Sequence, residues 1–231
     1  MKFNINPEIF TKFAPLKVGV IILENIDNSA NVDAFFNAEY AAITTSVKQK
    51  FDGVELSTYQ VVRRWREIYK SFGEKEARSS IEALIKRIKN DKGLYRVNPL
   101  VDIYNIASLK FELPAGGEDL SAISSDIELT FADGGESFTP IGGNEEKPNP
   151  GEVIYKFGNV VICRNFNYRE SDITKLANTT ERAIIVFEDA LGDEGNLCAA
   201  MDWMGAKAGE LLGAKVVKSA ILSDKDNEIE F

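Results

Sequence analysis

The pattern of apolar and polar positions divides the chain into a helical stretch followed by a β-rich one. Val18-Gly19-Val20-Ile21-Ile22-Leu23 is a short β-branched run between Pro15 and the polar cluster Asn25–Asn31, and it predicts a buried first strand. Phe35, Phe36, Tyr40, Ile43 and Val47 recur at helical spacing and predict a helix over Asn31–Phe51. Ser57 or Thr58 can cap a second helix through Phe72, ended by Gly73. Its apolar face holds Val61, Val62, Trp65, Ile68 and Tyr69, and its other face Arg63, Arg64, Arg66 and Lys70. Ser79 and Glu82 have capping-box spacing ahead of Ile81, Leu84, Ile85 and Ile88, which predicts a third helix with Lys86, Arg87 and Lys89 outward and Gly93 at its end.

The run Val97–Asp119 breaks this regularity. Asp102 and Asn105 sit among Leu100, Val101, Ile103, Tyr104 and Ile106. A buried polar group left unpaired costs about 1–3 kcal/mol, so these two side chains must tie a turn or face a pocket. From Asp102 onward the pattern predicts short strands: Ile127–Phe131, Val153–Phe157, Val160–Cys163 and Ala183–Phe187. Gly116-Gly117 and Gly134-Gly135 read as turns, and Gly142–Gly151 as a surface excursion. Asp193 or Asn196 caps a last helix carrying Leu197, Met201, Met204, Ala208 and Leu211, and Lys215–Leu222 returns as a strand. Helices, then strands, then a closing helix–strand unit give an α+β fold class, with residues 1–231 as one domain.

Composition narrows the chemistry. The chain has 231 residues and no histidine, which removes imidazole bases, histidine-based triads and the usual zinc and iron ligand sets. Catalysis would have to run on carboxylates, amides, hydroxyls or backbone groups. Cys163 and Cys198 have no metal-ligand or disulfide spacing and read as two buried thiols. No metal or cofactor is expected. No apolar run approaches the roughly 20 residues of a membrane span, and the N-terminus lacks a signal-peptide pattern, so a cytoplasmic location without a membrane partner is expected.

The net charge is −9, which opposes nonspecific binding to a polyanion and gives no expectation of DNA binding. Its distribution is uneven: Gln60–Arg96 holds 11 Lys and Arg against 5 Asp and Glu, a balance of +6 that leaves −15 on the remainder. Arg63, Arg64, Arg66, Lys86, Arg87 and Lys89 are therefore either an RNA-contacting face or simply solvated helix surface. Arg164, Asn165, Asn167, Arg169, Glu170 and Asp172 form a second polar cluster. It is either a pocket, with Arg164 and Arg169 gripping a carboxylate or phosphate and Glu170 orienting a hydroxyl or water, or a turn held by internal ion pairs. Asp102 and Asn105 either line the same pocket or tie turns. Trp65, Tyr104 and Phe111 read as core.

Several blocks stand in a specific order: Arg64–Gly73, Arg78–Arg87, the run to Leu113-Pro114 and Gly116-Gly117, Glu136–Gly142, Gly151–Tyr155, Cys163–Asp172 and Thr179–Ala183. Together, over roughly residues 65–188, they resemble the tRNA-editing module of the bacterial phenylalanyl-tRNA synthetase beta subunit in a free-standing form. That resemblance implies an α+β domain with a β-sandwich-like layer packed against helices. Within the synthetase this module hydrolyses tyrosine wrongly esterified to the phenylalanine tRNA, and the pocket lies between strand ends and turns.

Carried over by position, Glu170 matches the glutamate that recognises the tyrosine hydroxyl. With it the resemblance implies Glu170 and Asn167 as catalytic residues, and Arg164, Arg169, Asn165, Asp102, Asn105 and Thr180 as substrate-binding residues. Arg63, Arg64, Arg66, Lys86 and Arg87 would contact tRNA. Where the synthetase has a histidine after the proline, this chain has Ala115-Gly116-Gly117, and Asn165–Glu170 replaces a small glycine-containing segment. The expected partner is tRNA or aminoacyl-tRNA. Three functions follow: a deacylase acting in trans on misacylated tRNA, a noncatalytic RNA-binding module, or a binder of an amino-acid-like small molecule.

Overall fold

The apolar run around Ile21 is continuous because its strand is covered on both sides. In the computed structural model, which describes residues 1–231, Val18, Val20 and Ile22 join one core cluster while Ile21 and Leu23 join another. The elements in order are β1 (Lys2–Ile5), α1 (Pro7–Phe13), β2 (Lys17–Glu24), α2 (Asp33–Lys50), α3 (Gln60–Ser71), α4 (Ser80–Lys89) and α5 (Pro99–Phe111). Then follow β3 (Ala115–Asp119), β4 (Ile127–Phe131), β5 (Val153–Phe157), β6 (Val160–Arg164), β7 (Arg169–Glu170), β8 (Arg182–Asp189), α6 (Glu194–Leu212), β9 (Lys215–Leu222) and β10 (Glu228–Glu230).

Ten strands make two sheets. One has the order β10-β1-β4-β5-β6-β7, the other β3-β8-β2-β9, and only the β1–β4 pairing is parallel. Side chains of both sheets, among them Phe3, Leu129 and Tyr155 on one and Val20 and Ile184 on the other, share one core. The opposite face of the four-stranded sheet carries α5 and α6 through Leu100, Ile103, Met201 and Met204. A third cluster joins α2 and α4 to the far side of α5 through Phe36, Ile43, Ile81, Ile85 and Ile106. The fold class is therefore α+β, a sheet-on-sheet layer backed by helices.

Five sequence expectations change. Residues 99–111 form a helix rather than the start of the β half. Asn98 caps it by accepting from Val101 N at 3.1 Å, and Pro99 stands at its first position. The helical period is hidden because α5 lies between two apolar clusters. Gly116-Gly117 is not a turn but the middle of β3, paired with Val186 and Ile185. A Cβ on Gly117 would stand 2.6 Å from Ile185 Cδ1, so close packing rather than chain reversal selects glycine there.

The cap of α4 is half of the expected box. Ser79 Oγ accepts from Glu82 N at 3.4 Å, but the Glu82 carboxylate binds Arg66 at 2.5 Å instead of turning back. Neither Ser57 nor Thr58 caps α3, which starts after Tyr59, and Cys198 is exposed whereas Cys163 is buried.

Candidate functional site

The turn between β6 and β7 shapes the centre of the site. Asn165 and Phe166 both adopt left-handed backbone angles, φ 53° and 57°. This drives the Phe166 ring inward, edge-on to Phe13 and Trp65, and leaves Tyr168 outside, 42% exposed. The two aromatics of the segment that replaces the small glycine-containing one are thus divided between core and surface. Asn167, between them, is a junction. Its Oδ1 accepts from Ser80 N at 2.8 Å, at the start of α4, and from the Tyr69 hydroxyl at 3.3 Å. Its Nδ2 donates to Glu188.

A cleft of about 600 Å³ opens above this turn, between α4, the segment after it, α5 and β7. Asn105, Asn167 and Glu170 lie in it together with Lys86 and Arg87, as do Arg78 and Lys92. Tyr95, 71% exposed, and Tyr168 give it two aromatic surfaces, and the Arg87 guanidinium lies 3.7 Å from the Tyr95 ring centroid. Glu82, the other acid of the wall, is paired with Arg66 and Arg78.

Behind Asn167 and Glu170, between the two sheets, is a cavity of about 30 Å³, which has room for about one water molecule. Glu118, Cys163, Tyr155 and Glu188 also line it, among apolar walls that include Phe3, Ile127, Ile162 and Ile184. Burial is the largest influence on every acid here, because a low-dielectric wall disfavours charge. It pushes Glu188 up to about 7, against the hydrogen bonds from the Tyr155 hydroxyl, at 2.5 Å, and from Asn167. Burial and then the neighbouring Glu170 raise Glu118 well above the usual glutamate value. Burial raises Glu170 too, opposed by the neighbouring Glu118 and Cys163 side chains. The Cys163 thiol is raised as well, first by burial, and stays neutral. No group of three or more acidic, cysteine or histidine side chains is arranged to hold a metal ion.

The other residues singled out from the sequence lie elsewhere. Arg164 is buried against Glu152, Nε 2.6 Å from Oε1, and reaches Glu146 at 2.9 Å. Arg169 pairs with Glu146 at 2.5 Å. These pairs fasten the Gly142–Gly151 loop, so the expectation that both arginines grip a ligand gives way to internal ion pairing. Asn165 is buried in the turn. Asp102 lines neither the cleft nor the interior cavity: it pairs with Arg96 at 2.6 Å. Thr180 Oγ1 donates to Asp119 at 2.6 Å and accepts from Ala177 N at 2.9 Å, closing a turn.

The basic face is also divided. Arg64 donates to the carbonyls of Phe13, Ala14 and Ala190, Arg66 to Glu82, and Lys89 to the carbonyls of Phe51 and Val54. Arg63 is exposed beside Glu67 at 3.9 Å. Only Lys86 and Arg87 of the expected RNA contacts stand in the cleft. Sequence reasoning missed Glu118 and Glu188, which look like ordinary strand-end acids, and Tyr95, which lies in an unpatterned segment.

A family model described as the B3/4 domain matches residues 64–190. Among solved structures, an N-terminal fragment of the phenylalanyl-tRNA synthetase beta subunit from Pyrococcus horikoshii matches with a TM-score of 0.49 and 14% identity, covering 98% of this chain and 53% of that one. The chain thus spans about half the length of that fragment. No curated protein matches in sequence. The resemblance to the synthetase beta-subunit module is borne out by the family match. No helix is long and apolar enough to cross a membrane.

Proposed function

We propose, from the premise that this chain belongs to the B3/4 domain family, that it acts as one domain in the cytoplasm, binds the aminoacylated end of a tRNA in the cleft and hydrolyses a misacylated ester in trans. The observation that carries this reading is the convergence of Asn105, Asn167 and Glu170 with Lys86 and Arg87 on one cleft of about 600 Å³. Ligand sites for small molecules usually occupy about 300–1,000 Å³, a range that suits an aminoacyl-adenosine terminus. Lys86 and Lys92 meet the phosphates at the rim, Arg87 is held by the carbonyls of Gly93 and Lys92 against one face of Tyr95, and the other face of that ring stacks on the terminal adenine.

An aminoacyl ester is already activated, so its hydrolysis needs a placed water and a stabilised oxyanion more than a strong nucleophile. Glu170 receives the proton of that water. Asn167, held by Ser80 N and Glu188, keeps one amide hydrogen free for the developing oxyanion.

Incubation with a panel of tRNAs carrying tyrosine, meta-tyrosine and other near-cognate esters tests the proposal. Deacylation above the buffer rate, lost in Glu170→Ala without loss of the folded state, is expected. No acceleration on any ester refutes it. A second reading, a binder of a free amino-acid-like molecule, draws support from the internal engagement of Arg64 and Arg66, which leaves little cationic surface for a long RNA contact. Thermal stabilisation by a free amino acid with no effect of tRNA would select it.

A further inference from the structure

Glu118 is 7% exposed and lines the interior cavity, yet its Oε2 has no hydrogen-bond donor. Glu170 Oε2 is equally shut off from solvent and equally without a donor. Both carboxyls line the same cavity of about 30 Å³, and ionised carboxylates only accept, so a proton held on one is the donor that the other lacks. The groups facing the pair are the Cys163 thiol on β6, the Thr174 hydroxyl after β7, Glu188 on β8, and the phenols of Tyr155 on β5 and Tyr104 on α5. None is a cation. Two bare anions in such a setting repel each other without compensation. The cavity places Glu118 behind Glu170, and only Glu170 also lines the outer cleft.

Resting on the deacylase reading above, we propose that Glu118 and Glu170 share one proton, and that Glu118 is the positioning residue whose O–H holds Glu170 as the anionic base for the attacking water. As the water oxygen bonds to the ester carbonyl carbon, Glu170 takes one water proton and the pair holds two. When the tetrahedral intermediate breaks its bond to the ribose oxygen, one of these protons passes to that oxygen and restores the hydroxyl. The amino acid departs as a carboxylic acid, loses its proton to solvent, and the pair again holds one proton. This step needs no imidazole and no metal. It assigns a role to Glu118, which never touches the substrate.

The test begins with carbon-detected NMR titration of glutamate side-chain carboxyls in the free, full-length protein, a readout independent of activity. Coupled, two-step titration of Glu118 and Glu170 is expected. Glu118→Met, of similar size but without a donor, should move the Glu170 midpoint up by about one pH unit or more, the scale on which loss of a hydrogen bond to a charged form acts. Glu118→Gln, which keeps an N–H donor, should fall between.

The acidic limb of kcat/KM for deacylation should move in the same order, whereas a merely structural role would lower the rate with the limb unmoved. Independent titration of both residues near the ordinary glutamate value overturns the shared proton whatever the activity. Coupled titration with no deacylation of any ester overturns the functional reading and with it the base role of the pair.

Discussion

Replacing Glu188 by Gln should make the protein more stable in alkaline buffer while costing little in acid. Glu188 is 2% exposed and has no cationic partner, and burial pushes it up to about 7 against an ordinary value of 4.5. Between those two values the folded state binds a proton that the unfolded state does not. Stability therefore falls as pH rises from 4.5 to 7, and above 7 the full cost of a buried anion is present. At 1.36 kcal/mol per pH unit the interval amounts to roughly 3 kcal/mol.

A neutral Gln removes that cost and can keep both contacts. Its oxygen accepts from Asn167 Nδ2, and its amide donates to the Tyr155 hydroxyl, which both accepts and donates. Urea unfolding of wild type and Glu188→Gln at pH 5 and at pH 8.5 reads the effect. The variant should gain about 2–3 kcal/mol at pH 8.5, with a difference within about 1 kcal/mol at pH 5. The same change in unfolding free energy at both values of pH would refute the argument. Glu118 and Glu170 are raised as well, so some downward slope should remain in the variant.

Other predictions address single features. Gly117→Val places a branched side chain where Ile185 Cδ1 already stands 2.6 Å from a Cβ; equilibrium denaturation should show a loss of at least about 1–3 kcal/mol. Asn98→Ala removes the α5 cap and the donation to the Leu176 carbonyl at 3.0 Å, and about 1–2 kcal/mol or more should go with it, read by the same method. Arg64→Ala should lower the melting temperature, since its guanidinium ties three carbonyls, and should leave tRNA affinity unchanged. Lys86→Glu should do the reverse, weakening tRNA binding and flattening its salt dependence by about one phosphate contact; a filter-binding series in salt separates the two.

How far the fold could be read in advance depended on how many faces each element buries. The bounds of β4, β5 and β9 fall where the sequence pattern puts them, because turns flank short β-rich runs. The α4 helix has one apolar stripe and one charged one, and its start at Ser79 was legible. In contrast, α5 is covered from two sides, so its apolar residues fill most of the helical circumference and erase the period; Asn98-Pro99 was the remaining signal. Strand β3, with sequence AGGED, has the composition of a turn, and only the close approach of Ile185 and Glu170 explains it. The site divides on similar grounds. Asn167 and Glu170 share a cleft, whereas the partners of Arg164 and Arg169 lie in a loop whose return onto β6 no local pattern announces.

Charge and depth together explain how an acidic protein without histidine could work on RNA. Of the cations lining the cleft, Lys86 and Lys92 are not engaged by other side chains or carbonyls, and the carboxyls of Glu118, Glu170 and Glu188 lie beneath them. Were all three ionised, their field would oppose both the phosphates and the oxyanion formed on the ester. Burial resolves that conflict, since it keeps Glu118 protonated and leaves Glu188 near the edge of ionisation at neutral pH. The same apolar wall that destabilises the carboxylates therefore limits the negative charge under the cleft to little more than the one that the proposed base, Glu170, would carry. On the proposed deacylase reading, ordinary exposed glutamates at these three positions would repel the RNA phosphates.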